Sequence, residues 1–283
     1  MIPAILRIYY LAVVTQPYRY SKQMKLNSLP VKEGYTWIRQ GIWLFKQNPL
    51  GFLMLVFMYV FLAQLAVLIP IAGVFVVLLL TPALSVGFMT ACQQAIQKER
   101  IRPSVYLTAL RSPLPLVRKR ILQLGLIHTA LILALSFILS ILVDFELLLP
   151  MMTSDKPISA EAIKQMYSVL LIGGALYVPI AMLMWFSPLL IAWADMSVPQ
   201  ALFSSCLACW TNRGAFLVYL LIWGIVLIAI PLLLGAGFDA IDLGQAASFI
   251  IAPLSIGGLT IMHCSFFATW KACFTNNDQP PEL

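Results

Sequence analysis

Long apolar segments alternate with short polar ones along this 283-residue chain. Six of the apolar segments approach or exceed the ~20 residues that a helix needs to cross the hydrocarbon core of a bilayer. They lie near 50–69, 71–96, 120–143, 166–194, 214–235 and 245–271. The pattern predicts an all-α polytopic membrane protein with six transmembrane helices, which we number as spans one to six.

A shorter segment before span one has an amphipathic pattern. From Glu33 to Gln47, apolar side chains recur at helical spacing, and charged or amide side chains occupy the opposite face. The apolar face contains Tyr35, Ile38, Ile42 and Phe45, with Trp37 and Leu44 beside it, and the polar face contains Arg39, Gln40, Lys46 and Gln47. We expect this helix to lie in the membrane interface, with Asn48 at its end.

A second amphipathic segment precedes span five. Ser197 and Gln200 have the spacing of a capping box, which predicts a helix start. The apolar stripe of this helix is Leu202, Phe203, Cys206, Cys209 and Trp210, and the helix ends at Asn212. Because Cys206 and Cys209 lie on that stripe without further zinc ligands, we interpret them as packing residues.

Spans two, four and six each contain a proline: Pro82, Pro188 and Pro253. Proline has no N–H and crowds the carbonyl four residues back, so it kinks the helix and frees that carbonyl. The freed carbonyls belong to Leu78, Met184 and Phe249, and serines that could bond them lie nearby at Ser85, Ser187 and Ser255. Since lipid cannot satisfy a carbonyl, we expect each proline to face protein.

These elements predict three parallel repeats, each made of a cytoplasmic interfacial helix and two spans, the second of which carries the proline. The repeats cover about 33–96, 103–195 and 197–273, so residues 33–273 form a single six-helix membrane domain. In the second repeat, we expect Ser104 to cap the surface helix. Residues 1–32 form an N-terminal extension, of which residues 1–23 lie upstream of a second candidate start at Met24, and residues 274–283 form a disordered tail.

The net charge of +7 is distributed unevenly across this topology. All Lys and Arg residues except Lys156 and Lys164 fall on one side of the predicted membrane domain. The positive-inside rule therefore predicts a bacterial inner-membrane protein with both termini in the cytoplasm. The basic side would favour membrane lipids with anionic headgroups, and the charge is not read as a signal for nucleic acid.

Ionisable residues at membrane depth are the candidates for chemistry, because such residues are costly in lipid. His128 and His263 lie within spans, and Asp195 lies at the predicted inner end of span four. A cluster of these three residues would bind a metal or relay protons, or they would be three unrelated hydrogen-bonded residues. The sequence contains no catalytic motif, and it predicts no catalytic residue, metal site or cofactor.

Three stretches carry a family resemblance: GYTWIRQGIWLFKQNPLGFL, TPALSVGF and SSCLACWTNRGAFLVY. Together they resemble an uncharacterised family of bacterial six-helix inner-membrane proteins. More distantly, the pattern is similar to the membrane domain of some glycerophosphodiester phosphodiesterases, which implies a membrane anchor without the catalytic domain.

Three functions stay open from the sequence. The first is a non-enzymatic protein of membrane organisation or envelope assembly, favoured by the surface helices and the basic face. The second is a transporter of small solutes or lipids, favoured by the proline-containing spans. The third is a membrane enzyme that uses His128, His263 and Asp195.

Overall fold

The computed structural model describes residues 24–69, 71–143, 160–241 and 243–276, and helices dominate these ranges. The first half contains β1 (Met24–Leu26), α1 (Glu33–Gln47), α2 (Pro49–Val67), α3 (Ala72–Ile96), a 3-10 helix (Pro103–Leu107) and α4 (Pro115–Leu142). The second half contains α5 (Ala160–Met184), α6 (Ser187–Ala194), α7 (Val198–Thr211), α8 (Arg213–Gly224), a π turn (Ile225–Ala229), α9 (Ile230–Asp239), α10 (Gly244–Cys273) and β2 (Phe274–Asn276).

Six segments among the described residues are long and apolar enough to cross a membrane, which confirms the six predicted spans. They are Pro49–Val67, Ala72–Ile96, Pro115–Leu142, Ala160–Ala194, Arg213–Asp239 and Ala246–Cys273. Large apolar side chains cover their outer surfaces, with Leu171 73% and Phe249 83% exposed. Apolar surface of this extent requires a hydrocarbon environment, so the fold is an all-α polytopic membrane protein.

The buried core is concentrated at one end of the helix bundle. Contacts at this end join Arg120 near the start of α4 to Asp195 after α6, and Asn212 before α8 to Cys273 at the end of α10. We call it the basal end. Aromatic side chains fill its interior at ring-centroid distances of 4.2 to 6.5 Å: Trp37, Trp185, Phe186, Trp193, Phe216, Tyr219, Phe266, Phe267 and Trp270.

Helix α1 packs against α10 and α8 within this core. Its buried residues are Gly34, Trp37, Ile38, Gly41 and Leu44. The predicted apolar face is therefore corrected, because Tyr35 and Ile42 are exposed and Trp37 is fully buried. The reason is steric: a Cβ at Gly41 would lie 2.5 Å from Ser265 Cβ, so only a glycine face allows so close an approach to α10.

The segment between α3 and α4 folds back against α3 instead of forming an open loop. Ile101, Val105, Tyr106 and Ala109 are buried, and Tyr106 Oη donates a hydrogen bond to the Leu55 carbonyl at 3.0 Å. Prediction of a helix capped by Ser104 is wrong, since the 3-10 helix has Arg102 at its N-cap position.

The stripe of small residues on α3 provides the contact surface for this segment. Ala83, Gly87 and Ala91 are all buried. A Cβ at Gly87 would lie 2.6 Å from Tyr106 Cα, so the backbone of the 3-10 helix can approach α3 only because this residue is glycine.

The first and last described segments are joined at the basal end. Strands β1 and β2 pair antiparallel, with Leu26 opposite Phe274. The Asn27 side chain also donates a hydrogen bond to the Ala272 carbonyl at 3.0 Å. The prediction of a disordered tail therefore fails for residues 274–276. Residues 277–283, the predicted extension at 1–23 and residues 144–159 lie outside the described residues.

Candidate functional site

His128 satisfies the carbonyl that Pro82 leaves free. The His128 Nδ1 atom lies 3.0 Å from the Leu78 carbonyl oxygen, so the ring carries a proton on Nδ1 and donates it. The His128 side chain can reach this carbonyl because α3 and α4 are in close contact, with Gly125 of α4 packed on the Leu79 carbonyl of α3. The donor to this carbonyl is therefore a side chain of a neighbouring helix, His128, rather than the nearby Ser85.

This assignment predicts that His128 and Pro82 are energetically coupled. We expect His128→Phe to lower the free energy of unfolding by about 1–2 kcal/mol, because the Leu78 carbonyl, in a partly buried position, loses its donor. In a Pro82→Ala background the helix regains its own N–H donor, so His128→Phe should have a smaller effect there. A double-mutant cycle of unfolding in detergent measures the coupling. Equal effects in both backgrounds would exclude the role given to His128.

His263 is bonded within its own helix. Its Nδ1 atom lies 2.8 Å from the Leu259 carbonyl, one turn earlier in α10. The imidazole ring also packs against Phe88 of α3, with the ring centroids 5.4 Å apart. His263 therefore acts as a packing residue between α3 and α10 in this structure.

Asp195 is paired with Arg120. The Arg120 guanidinium donates to the Asp195 carboxylate at 2.7 Å and to its backbone carbonyl at 2.9 Å. Asp195 follows α6 in the left-handed conformation, with φ of 54°, which Asp tolerates better than most residues. The ion pair fixes the end of span four to the start of span three.

The three predicted cluster residues thus have separate partners. Along α4, His128 lies eight residues beyond Arg120, which is about 12 Å of helix rise from the residue that binds Asp195. Among the residues that the structure describes, no group of three His, Cys, Asp or Glu side chains is placed to hold a metal ion.

Pro188 lies at a break in span four. Helix α5 ends at Met184, and α6 begins with Ser187 and Pro188 in its first turn. Ser205 of α7 bridges the break: its hydroxyl accepts the Phe186 N–H at 2.9 Å and donates to the Met182 carbonyl at 2.7 Å. A hydroxyl from a neighbouring helix therefore satisfies backbone groups near the proline, as the chemistry of the break requires.

The three prolines differ in their surroundings. Pro82 and Pro188 are buried, in agreement with the expectation that they face protein. Pro253 lies within the uninterrupted helix α10, and its ring is exposed. The expectation is therefore wrong for Pro253, because this part of α10 lies on the outside of the bundle.

Asn212 is a polar centre of the basal end, beyond its predicted role as the end of α7. It is 1% exposed. Its Oδ1 accepts the Leu29 N–H at 2.8 Å, and its Nδ2 donates to the Asn27 and Ala208 carbonyls, each at 3.0 Å. The sequence signal was its position between α7 and α8, which matches Asn48 between α1 and α2.

Cys209 lies on the protein-facing side of α7, and burial raises the pKa of its thiol well above the ordinary value. A protonated thiol is a poor nucleophile and a poor metal ligand. This environment agrees with the packing role predicted for Cys209.

The exposed faces of α1 and α7 form a second candidate site, a surface rather than a pocket. The basic residues Lys32, at the N-cap of α1, and Arg39 and Lys46 within α1 follow one another at seven-residue intervals and are exposed. The apolar residues Tyr35, Ile42 and Trp43 are exposed beside them.

Helix α7 presents a similar outer face. Phe203 is 69% exposed, and Leu207 and Trp210 continue the same stripe at helical spacing. The Arg213 guanidinium lies over the Trp210 ring, 5.4 Å from its centroid. The residues of the predicted stripe therefore do not share one environment: Cys209 is buried and Leu202 and Cys206 are partly buried, whereas Phe203 and Trp210 face outward.

Comparison with curated proteins identifies a relative from Burkholderia thailandensis, named probable inner membrane protein BTH_II0599. The two chains are 38% identical over 255 residues, which cover 89% of this chain and 94% of the relative. A scan against protein families finds no match, and no solved structure matches the chain. The predicted similarity to glycerophosphodiester phosphodiesterases is not shown and stays a prediction.

Proposed function

Because the chain belongs to the family of this Burkholderia inner membrane protein, we propose that it is a non-enzymatic organiser of the inner membrane. In this proposal both termini and the basal end face the cytoplasm, and the exposed faces of α1 and α7 bind the headgroup region of the cytoplasmic leaflet. The protein would then serve envelope assembly by concentrating anionic lipid around its basal end.

The charge distribution supports this orientation. At the opposite end of the spans, the described residues include one cation, Lys164, and the other described Lys and Arg residues lie at the basal end. The positive-inside rule places such an end in the cytoplasm. Anionic lipids of the cytoplasmic leaflet attract each basic residue near the surface by about 1 kcal/mol.

The observation that carries the proposal is the exposed face of α1. A purely structural helix would present polar side chains to water, whereas α1 exposes aromatic and aliphatic residues beside Lys32, Arg39 and Lys46. Aromatic rings and basic side chains together favour the boundary between headgroups and acyl chains. The outer face of α7, with Trp210 and Arg213, has the same chemistry.

The three-repeat organisation fits this role and remains part of the proposal. Each repeat would contribute a surface element at the basal end, followed by two spans. The order of α1, α2 and α3 is matched by α7, α8–α9 and α10, whereas the 3-10 helix takes the surface position before α4.

Packing at the centre of the basal end favours this function over transport. Spans two, four and six meet there through side chains in direct contact, including Phe88 against His263 and Trp193 against Phe267. The two histidines also use their Nδ1 atoms to bond backbone carbonyls.

The test is lipid retention by the purified protein. We expect the triple variant Lys32→Gln, Arg39→Gln, Lys46→Gln to retain several-fold less phosphatidylglycerol after detergent extraction, because three headgroup attractions are lost. The matched control, Arg111→Gln, Arg118→Gln, Lys119→Gln, removes the same charge from exposed basal positions outside α1. Equal loss in both variants, or no loss in the first, would contradict a specific role for α1.

A further inference from the structure

A groove of about 450 Å³ lies between α2 and α3, outside the sites described above. Its walls are apolar, and the 3-10 helix forms its floor. Residues that line it include Met58, Leu62 and Ala66 of α2, Val76 and Leu80 of α3, and Tyr106 of the floor. From Met58 to Ala66 the groove extends about 12 Å along α2, at 1.5 Å per residue.

Two close contacts create this groove. At its far end, Gly73 of α3 packs on the Ala66 carbonyl. At its basal end, Gly87 of α3 admits the backbone of Tyr106, whose hydroxyl bonds the Leu55 carbonyl of α2 at 3.0 Å. Between these points the helices are held apart, and side chains of moderate size leave the space open. The groove is therefore built into the fold.

Basic residues flank the floor. Arg102 directly precedes the 3-10 helix and Arg100 lies two residues earlier, and both are exposed. Within the described part of the chain, Arg120 forms an ion pair with Asp195, whereas Arg100 and Arg102 form none. Glu99, also exposed, is the acidic residue nearest to them in the sequence. A guanidinium suits a phosphate group because it donates paired hydrogen bonds in one plane.

We propose that this groove binds one acyl chain of an anionic phospholipid, with the phosphate group held by Arg102 and Arg100. An apolar channel open to the bilayer along its side, with cations at its basal end, matches a phospholipid in both shape and charge. The inference rests on the proposed orientation, in which the basal end lies in the cytoplasmic leaflet. It adds a single defined lipid site to the more general headgroup surface of α1 and α7.

The experiment is native mass spectrometry of the full chain in mild detergent, titrated with phosphatidylglycerol or phosphatidylethanolamine. Ala63 of α2 also lines the groove. Ala63→Phe places a ring in this space, and we expect about tenfold weaker binding of the first phosphatidylglycerol, since about two methylene contacts are lost. The control is Ala134→Phe, which adds the same ring to an exposed position on α4.

The headgroup is tested separately. We expect Arg102→Gln to reduce the preference for phosphatidylglycerol over phosphatidylethanolamine about fivefold, with Arg111→Gln as the control on the same segment. Wild-type binding of the first phosphatidylglycerol by Ala63→Phe, or an unchanged preference in Arg102→Gln, would overturn the proposal. Thermal unfolding checks that each variant is folded.

The α1 triple variant separates this inference from the proposed function. If the groove fails its test while the triple variant still loses bulk phosphatidylglycerol, the general function stands and the groove site does not. If the triple variant retains as much phosphatidylglycerol as the wild type while Ala63→Phe binds the first phosphatidylglycerol more weakly, the groove is a lipid site on a protein with a different role.

Discussion

Replacing Asn212 with alanine is expected to lower the free energy of unfolding by about 3 kcal/mol, because three backbone groups lose the same side-chain partner at once. The Asn212 side chain bonds Leu29, Asn27 and Ala208, and it lies 3.7 Å from Cys273 Sγ. Alanine is too short to reach any of them. Water has little access to replace these bonds, since the residue is almost fully buried.

The matched control is Asn48→Ala. Asn48 caps α2 as Asn212 precedes α8, but its side chain is partly exposed and accepts a hydrogen bond from the Gly51 N–H at 3.0 Å. Loss of a cap of this kind lowers stability by about 1 kcal/mol. Unfolding in detergent by heat or dodecyl sulfate compares the two variants, and trypsin cleavage after Lys25 or Lys32 reports release of the first segment. Equal effects would show that the bonds of Asn212 to that segment add nothing.

Gly41→Leu is expected to destabilise the protein by about 3 kcal/mol or to displace α1 from the core. A Cβ at this position would lie 2.5 Å from Ser265 Cβ and 2.8 Å from Ser265 Cα. Since the obstacle includes backbone, a change of rotamer cannot relieve the clash, and α1 must move away from α10. Trp37, which is fully buried on the same face, would then become exposed.

Tryptophan fluorescence and unfolding in detergent measure this effect. The control is Gly257→Leu, at a position in the same helix as Ser265 where an added Cβ meets nothing within 4 Å. It should be neutral or stabilise α10 by up to about 1 kcal/mol, because glycine is a poor helix former. If Gly41→Leu unfolded like the wild type, α1 would not be docked as described.

The spans were predictable from sequence because length and hydropathy alone identify a lipid-crossing helix. Their ends were less predictable. Helix α4 starts at Pro115 rather than near Arg120, since a helix can extend past the hydrocarbon with Arg118 and Lys119 in its first turns. The buried face of α1 could not be predicted either, because apolar residues occur on more than one side of the helix. Its close packing against α8 and α10 is determined by Gly34 and Gly41.

The chemistry of the candidate site was partly predictable. Pro82 identified the Leu78 carbonyl as a group in need of a donor, but the donor is 50 residues away on α4 and depends on how two helices pair. For Asp195, the histidines were the partners considered, and Arg120 is the actual one. A permanently charged guanidinium satisfies a carboxylate better than an imidazole does, and the distances between these residues depend on how the helices pack.

The docking of α1 on α10 has a consequence for biosynthesis. Gly41 and its contact Ser265 are separated by 224 residues, so the ribosome reaches the second about 10–45 s after the first at ordinary elongation rates. During that interval the glycine-lined face of the first helix has no protein to cover it. In the proposed orientation, the exposed face of aromatic and basic side chains would hold the nascent helix at the bilayer until the last span arrives, so the same amphipathic character would serve assembly before it serves the finished protein.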